Sequence, residues 1–288
     1  MKISVIIPCF NDADTIGAQL DALSQQSWPG QWEVIVSDNG STDESMKVVE
    51  GYRQKLQNLT VVDSSDRQGS SHARNVAAEI ATGEVLLFCD ANDIVAPNWL
   101  ETLGRAVAEH DFAACRLDTE KLNKPWQYKS WHNSQRDGLI KFNPPYLPFA
   151  GAGTLGVKRV IHEKVNGFDE SVMKLVDVDY CWRIQLLGTK LHFVKDTAIY
   201  YRYPKKISSG FKQMFHIGEN TVMLYKKYKI NGMPDIPQPF KSGILAWVRF
   251  IMKLPALRSK AGFALVIRQL GLRLGRLFGS IKYRVLAL

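Results

Sequence analysis

The stretch Val85-Leu86-Leu87-Phe88-Cys89-Asp90-Ala91-Asn92-Asp93 runs from an apolar, strand-length segment straight into two carboxylates and an amide. Packing gives a buried strand no reason to end this way. Two Asp and an Asn on one short turn bring several hard oxygens within reach of one point. Hard divalent cations such as Mg2+ or Mn2+ take such ligands, usually shared with phosphate oxygens. Asp and Asn also favour turns in their own right, so it is the position after a strand that gives the pattern its meaning. A second polar turn, Asp38-Asn39-Gly40-Ser41-Thr42-Asp43, also closes a strand. Ser41 to Asp43 read as a helix start, with Ser41 or Thr42 capping and Asp43 favoured by the helix dipole. Asp38 stands at the strand's carboxyl end, where it can accept from a base N–H or a ribose hydroxyl. A third group, Asp177-Val178-Asp179, opens a helix with Arg183 one turn on. Asp179 and Arg183 suit an i, i+4 ion pair. Asp177 precedes the helix and is free to point into a cleft as a general base.

Gly151-Ala152-Gly153-Thr154-Leu155-Gly156 satisfies G-x-G-x-x-G. The dinucleotide fingerprint needs a preceding strand. Here Pro144, Pro145 and Pro148 precede it, and proline denies a central strand its donors. The segment reads as a small-residue turn near a ligand. No G-x-x-x-x-G-K-[ST] occurs, which excludes a P-loop.

The elements that must position these turns alternate. Residues 3–8, 33–37, 59–63 and 85–89 have strand patterns, and residues 16–26, 43–56, 70–81 and 99–109 have helical ones. Ile16, Leu20 and Leu23 share one face of the first helix, which Asp14 or Thr15 could cap. This order predicts an α/β fold, Rossmann-like, with a mainly parallel sheet and helices on both faces. Ligands bind beyond the carboxyl ends of such strands, where the turns after Ile7, Ser37, Asp63 and Cys89 fall. Residues 120–150 change character: Trp126, Tyr128, Trp131, Tyr146 and Phe149 mix with Lys, Asn and prolines. They are expected to form a long irregular segment over the site, suited to a second substrate. Regular structure resumes near Val157, with a helix at 179–187, a strand at 191–194 and a helix at 210–228. Pro234, Pro237 and Pro239 mark a break. The expected organisation is a domain over 1–232 (a nucleotide-binding half, 1–110, and an acceptor half, 111–232), a proline linker over 233–240, and a tail over 241–288.

Of 288 residues, 45% are hydrophobic, which excludes a disordered chain and allows one large domain with an appendage. Met1 runs directly into strand-like residues with no leader pattern. The four cysteines lie far apart and read as reduced, buried thiols of a cytoplasmic protein. The six histidines are scattered, which argues against zinc. Ten of the 37 Lys and Arg fall in residues 241–288, which hold no acid, so residues 1–240 carry 27 bases against 28 acids. Basic character is therefore a property of the tail. Phe263, Val266, Ile267, Leu270, Leu274, Leu277, Phe278 and Ile281 fall on one side of a helix there, and most bases on the other. No run of eighteen uncharged apolar residues exists to span a bilayer. The tail is expected to lie on an anionic membrane surface, making the protein peripheral on the inner face. Its alternatives are packing on the catalytic domain or on a second copy in a homodimer. Nucleic acid is not an expected partner, since no interleaved aromatics or known motif accompany the charge.

In order, the pieces resemble glycosyltransferase family 2, the inverting, non-processive type with the GT-A fold. The matching stretches are Val5-Ile6-Ile7-Pro8-Cys9-Phe10-Asn11, Asp38 to Asp43, Gly69 with Ala73-Arg74-Asn75, Gly83 to Asp93, Gly167-Phe168-Asp169-Glu170, and Asp177-Val178-Asp179 with Arg183. They cover roughly residues 3–200, and the ordered set is specific where each piece alone is weak. The resemblance implies a hexosyltransferase-type enzyme. It moves a sugar from a nucleotide diphosphate donor, UDP being the family's commonest, to a hydroxyl of a glycan or lipid-linked acceptor of the cell envelope. Pro8, Phe10, Asn11 and Asp38 would surround base and ribose, with Gly69, Arg74, Asp90 and Ala91 also on the nucleotide side. Asp90, Asn92 and Asp93 would hold Mg2+ or Mn2+. Gly151, Gly153 and Asp179 would lie on the acceptor and donor-sugar side, and Asp177 would be the catalytic base. Two positions depart from the family: Asn92 stands where the family's D-x-D-D motif carries Asp, and Val176 stands where an acid commonly precedes the base. The rival readings are a sugar nucleotidyltransferase, which would need a Gly-rich basic loop after the first strand, and a non-catalytic membrane scaffold.

Overall fold

The computed structural model describes residues 1–131, 133–142, 144–236 and 239–287. Pro237 of the expected proline break and residue 288 of the tail lie outside the described residues. The chain begins β1 (Ile3–Cys9), α1 (Ile16–Ser24), β2 (Trp32–Asp38), α2 (Ser45–Glu50), β3 (Leu59–Asp63), α3 (Ser70–Ile80) and β4 (Val85–Phe88). It continues β5 (Ile94–Val95), α4 (Trp99–His110), β6 (Phe112–Asp118), α5 (Pro125–Tyr128), β7 (Leu155–Lys158), α6 (Arg159–Lys164), α7 (Val176–Leu186) and β8 (His192–Tyr200). Three helices close it: α8 (Ile207–Tyr228), α9 (Pro239–Ile251) and α10 (Lys260–Tyr283).

The eight strands form one sheet in the order β3-β2-β1-β4-β7-β6-β8-β5. β3, β2, β1 and β4 are parallel neighbours. β7 runs antiparallel between β4 and β6, and β8 pairs parallel with β6. Every residue of β1 is buried, because helices cover both faces of the sheet. Ile3, Val5 and Ile7 join a core with Leu20 of α1 and Trp99 and Leu103 of α4. Ile6 joins the opposite core with Ala77 of α3, Leu155 of β7 and Tyr180 of α7. Gly156 of the G-x-G-x-x-G segment sits inside β7, where a Cβ would lie 2.6 Å from Leu87 Cδ2 and 2.7 Å from Val107 Cγ2. That glycine serves sheet packing.

Local differences from expectation have physical causes. Thr15 stands at the start of α1, but its hydroxyl turns back to the Asp12 carbonyl (3.2 Å) instead of capping. α2 begins only at Ser45, because Ser41, Thr42 and Asp43 are engaged by Asn11 and Asp38 in a turn. Asp177 does not precede its helix. Leu175 adopts a left-handed backbone (φ 59°), α7 starts at Val176, and Asp177 lies in its first turn. Such a conformation costs a non-glycine residue about 1 kcal/mol; here it turns the chain between Lys174 and Asp177.

The tail packs on the catalytic domain. α10 runs along α8, and its contact face is a glycine stripe, not its apolar arc. A Cβ on Gly271, Gly275 or Gly279 would lie 2.6, 1.9 or 2.8 Å from the carbonyl oxygens of Phe211, Phe215 and Glu219. A Cβ on Gly218 of α8 would likewise crowd the Leu272 carbonyl oxygen. Only glycine permits backbones this near. Lys282 pairs with Glu219 (2.7 Å) across the same seam. Further along α10, the buried Arg268 hydrogen-bonds the Ser130 hydroxyl and stacks its guanidinium 4.2 Å over Trp131. No helix among the described residues is long and apolar enough to cross a membrane.

Candidate active site

The turns after β1, β2 and β4, with the start of α3, enclose a pocket of about 380 Å³. Pro8 and Phe10 come from the β1 end, Gly69 and Arg74 from the α3 start, and Asp90, Ala91 and Asn92 from the β4 end. Phe10 is 45% exposed at the lip, an aromatic face offered to a ring ligand. Gly69 needs to be glycine for its backbone (φ 148°), not for space, since a Cβ there would touch nothing. Its N–H donates to Asn39 Oδ1 (2.6 Å), and the buried Asn39 amide also donates to the Ser64 and Arg67 carbonyls. This one side chain fixes the loop from β3 to α3.

The acidic turn is held from several sides. Buried Arg74 of α3 donates from Nη2 to Asp90 Oδ1 at 2.5 Å. Gln19 of α1, wholly buried, donates to the Asp90 carbonyl (3.2 Å) and accepts from Val95 N–H. Gly153 approaches so closely that a Cβ would lie 2.9 Å from Asp90 Oδ2. Asp93 differs from expectation. It is 2% exposed, and its Oδ1 accepts the Arg202 amide (2.8 Å) beneath the turn. Burial, then the Asp90 charge, pushes its carboxyl well above the usual range against the opposing pull of Arg202. Arg202 Nε also binds the Asn92 carbonyl (3.0 Å). The side chains this turn gives the pocket are Asp90 and Asn92, with Asp93 as its anchor.

A wider cleft of about 800 Å³ opens beside the pocket, and Asp12, Asn92 and Lys174 line both. Its lining includes the acids Asp12, Asp14, Asp43 and Glu44 and, from the later part of the chain, a basic wall of Arg202, Lys205, Lys212 and His216, with Lys205 paired to Asp14 at 3.7 Å. Among the described residues, none in 120–150 lines either space. This corrects the expectation that the segment covers the site. Gln135, fully buried, ties the segment instead to Cys115, Thr154 and Gly151. That contact is also where Gly151 is held. Asn11, with positive φ (55°), lines the wide cleft and staples the first two turns through Oδ1 to Thr42 N–H (2.8 Å). Asp38 accepts from Ser41 N–H (2.9 Å) and borders the pocket without lining it.

Asp177 and Asp179 part company on α7. Asp177 is half-buried and, among the described residues, lines neither space itself; its Oδ1 accepts its neighbour's amide, Val178 N–H (3.0 Å). Burial raises its pKa to about 6; the Asp90 charge adds to this and Arg74 opposes it. Asp179 is brought to no cleft. It is fully buried, with Arg183 (2.7 Å), Lys227 (2.7 Å) and the Tyr228 hydroxyl (2.7 Å) consuming its oxygens. Sequence reasoning missed Asp12, Lys174, Arg202, Lys212 and His216. Of these Asp12, just past the end of β1, carried a positional signal. Burial raises its pKa too, with help from the charges of Asp90 and Asp43.

A parallel half ending in an acidic turn, extended by an antiparallel strand, defines the GT-A class of α/β folds. The mannosyltransferase PcManGT of Pyrobaculum calidifontis, solved with GDP-Man and Mn2+, superposes with a TM-score of 0.68 at 20% identity, over 96% of this chain and 86% of that one. The family model for glycosyl transferase family 2 matches residues 4–165, more than half of the sequence. The chain belongs to that family. Its relatives include glycosyltransferase AglE of Haloferax volcanii, 26% identical over 88% of this chain and 82% of that protein. Another is the poly(ribitol-phosphate) β-N-acetylglucosaminyltransferase TarS of Staphylococcus aureus, 38% identical over 70% of this chain. The chain spans only 35% of TarS, and 39% of the Escherichia coli glycosyltransferase YibD.

Proposed function

We propose that the protein transfers a sugar, with inversion, from a nucleoside diphosphate donor to an acceptor hydroxyl in the cell envelope. The observation that carries this is the continuity of the two spaces: a nucleotide-sized pocket and a wide cleft meet at Asp12, Asn92 and Lys174. Phe10 and Pro8 would flank the base, with Asp38 behind them on the ribose side. Gly69 and Arg74 would face the nucleotide. The acceptor would enter the wide cleft, and Asp177 would take its hydroxyl proton as that oxygen attacks the anomeric carbon opposite the leaving diphosphate. A carboxyl with a pKa near 6 is matched to that task at neutral pH. UDP is the first donor to test, because TarS structures include complexes with UDP and UDP-GlcNAc. The basic wall and the poly(ribitol-phosphate) acceptor of TarS both favour an anionic envelope polymer or lipid-linked glycan as acceptor.

The donor set fits a hard divalent cation. Asp90, Asn92 and Asp12 are oxygen donors around one pocket, where burial, with the Asp90 charge adding to it, raises the pKa of Asp12. Among the described residues, no three His, Cys, Asp or Glu side chains form a group that could hold a metal ion by themselves. Asp90 and Asn92 would hold Mg2+ or Mn2+, with Asp93 supporting the turn. When bound, the ion would neutralise charge on the leaving diphosphate. Thermal shift with UDP, GDP and their sugars, with and without Mn2+, tests the reading. A rise in melting temperature for one nucleoside diphosphate is expected, and none for any of them would overturn it.

A further inference from the structure

The glycine stripe settles what α10 packs on; it leaves α9 with an outer face that no described residue covers. Phe240, Ile244, Leu245, Val248, Ile251 and Met252 are each between 47% and 74% exposed. At 100° per residue they span an arc of about 140°. The opposite edge of α9 is the packed one: Gly243 and Phe250 are buried, and the Arg273 guanidinium of α10 lies 5.7 Å and 5.6 Å over the rings of Trp247 and Phe250. The apolar arc continues past the helix end through the exposed Leu254 and Leu257. Lys241 lies within it at the start of the helix, and Arg249, Lys253 and Arg258 border it, all exposed. None of the four forms an ion pair among the described residues, and residues 241–288 contain no acid to offer one.

We infer that this outer face of α9 and the turn after it form a docking surface for an anionic lipid bilayer. An apolar arc bordered by unpaired bases matches a membrane interface, with the hydrocarbon boundary under the arc and lipid phosphates beside the bases. A second copy fits less well. A twofold interface sets the same patch against itself, so unpaired bases would meet unpaired bases. On α10 the glycine face belongs to the fold while Phe263, Leu277, Phe278 and Ile281 stay exposed beside it; the assignment is independent of the reaction proposed above.

The full chain should co-sediment with vesicles of phosphatidylcholine and phosphatidylglycerol at low salt, and not with phosphatidylcholine alone. Ile244→Asp with Val248→Asp should lower that partition by at least about tenfold, with an unchanged circular dichroism spectrum and unchanged donor binding. Lys241→Gln with Arg249→Gln and Lys253→Gln alters only exposed side chains, so it serves even if the first variant misfolds. It should weaken binding and flatten its salt dependence. Failure of the parent chain to bind anionic vesicles overturns the inference, as does equal binding by both variants. A dimer that dissociates in the Ile244→Asp, Val248→Asp variant, with the parent chain remaining off vesicles, would assign the face to a second copy instead.

Discussion

The two ends of the first turns of α7 hold acids in opposite circumstances. Asp179, with Asp169 nearby, is saturated: Lys227 bridges both carboxylates, at 2.7 and 2.8 Å, and Arg183 and Tyr228 complete the set. Asp177, with Asp90 and Asp12, is starved: one guanidinium, Arg74, serves the group, and Asp177 and Asp12 both have raised pKa values. Saturated acids build structure, and starved ones hold a proton or a cation ready. The same residue type two positions apart thus takes opposite roles.

Breaking the starved cluster should have the largest effect. Asp177→Asn keeps the shape and removes the base, so turnover should fall about 10³-fold, with donor affinity by calorimetry unchanged. Normal turnover would end its assignment. Breaking the saturated cluster should read out as stability alone. Lys227→Met strips a cation from buried Asp179 and should lower stability by on the order of 2 kcal/mol in a urea titration, with turnover per folded molecule retained. Gly153→Ala sharpens the contrast from the far side. Its Cβ would crowd Asp90 Oδ2 at 2.9 Å, so kcat/KM should drop about tenfold while melting barely moves.

Acid should separate the clusters as well. Asp177, raised to about 6, loses its function as pH falls through that value, so the acid limb of kcat/KM should bend near pH 6. Asp169 behaves oppositely. Burial would raise its pKa, but Lys227 and Ser171 outweigh that and hold it at about 2, against an ordinary 3.8. Its contribution to stability is present above the unfolded pKa and lost as pH falls from 3.8 towards 2. Activity should therefore fail well before this part of the fold loosens. Coincident losses in a pH series of rate and melting temperature would refute the division.

The parallel half was legible because buried strands such as Ile3-Ser4-Val5-Ile6-Ile7 are near-continuous apolar runs closed by polar turns. The second half was not. β6 opens with Phe112-Ala113-Ala114, small residues that also suit a helix, and β7 hides inside a glycine-rich segment that mimics a nucleotide fingerprint. In the site, Asp90 and Asp177 were readable as acids at element ends. Asp179 was assigned to the substrate side because sequence does not show that Lys227 and Tyr228, some 48 residues on, converge on it. The wide cleft's basic wall was unreadable for the same reason, since it is assembled from loops and α8. In the tail, the large apolar residues of α10 drew attention from Gly271, Gly275 and Gly279, whose spacing of four was the better clue to its partner.

One practical lesson concerns where to cut the gene. The helix that contributes Lys212, Gln213 and His216 to the wide cleft leans its other flank on the glycines of α10. Trimming the chain at the proline break, a tempting boundary for crystallography, would leave α8 with an empty furrow along its back. Material made that way would report on a collapsed rim, and its poor turnover would say nothing about lipids.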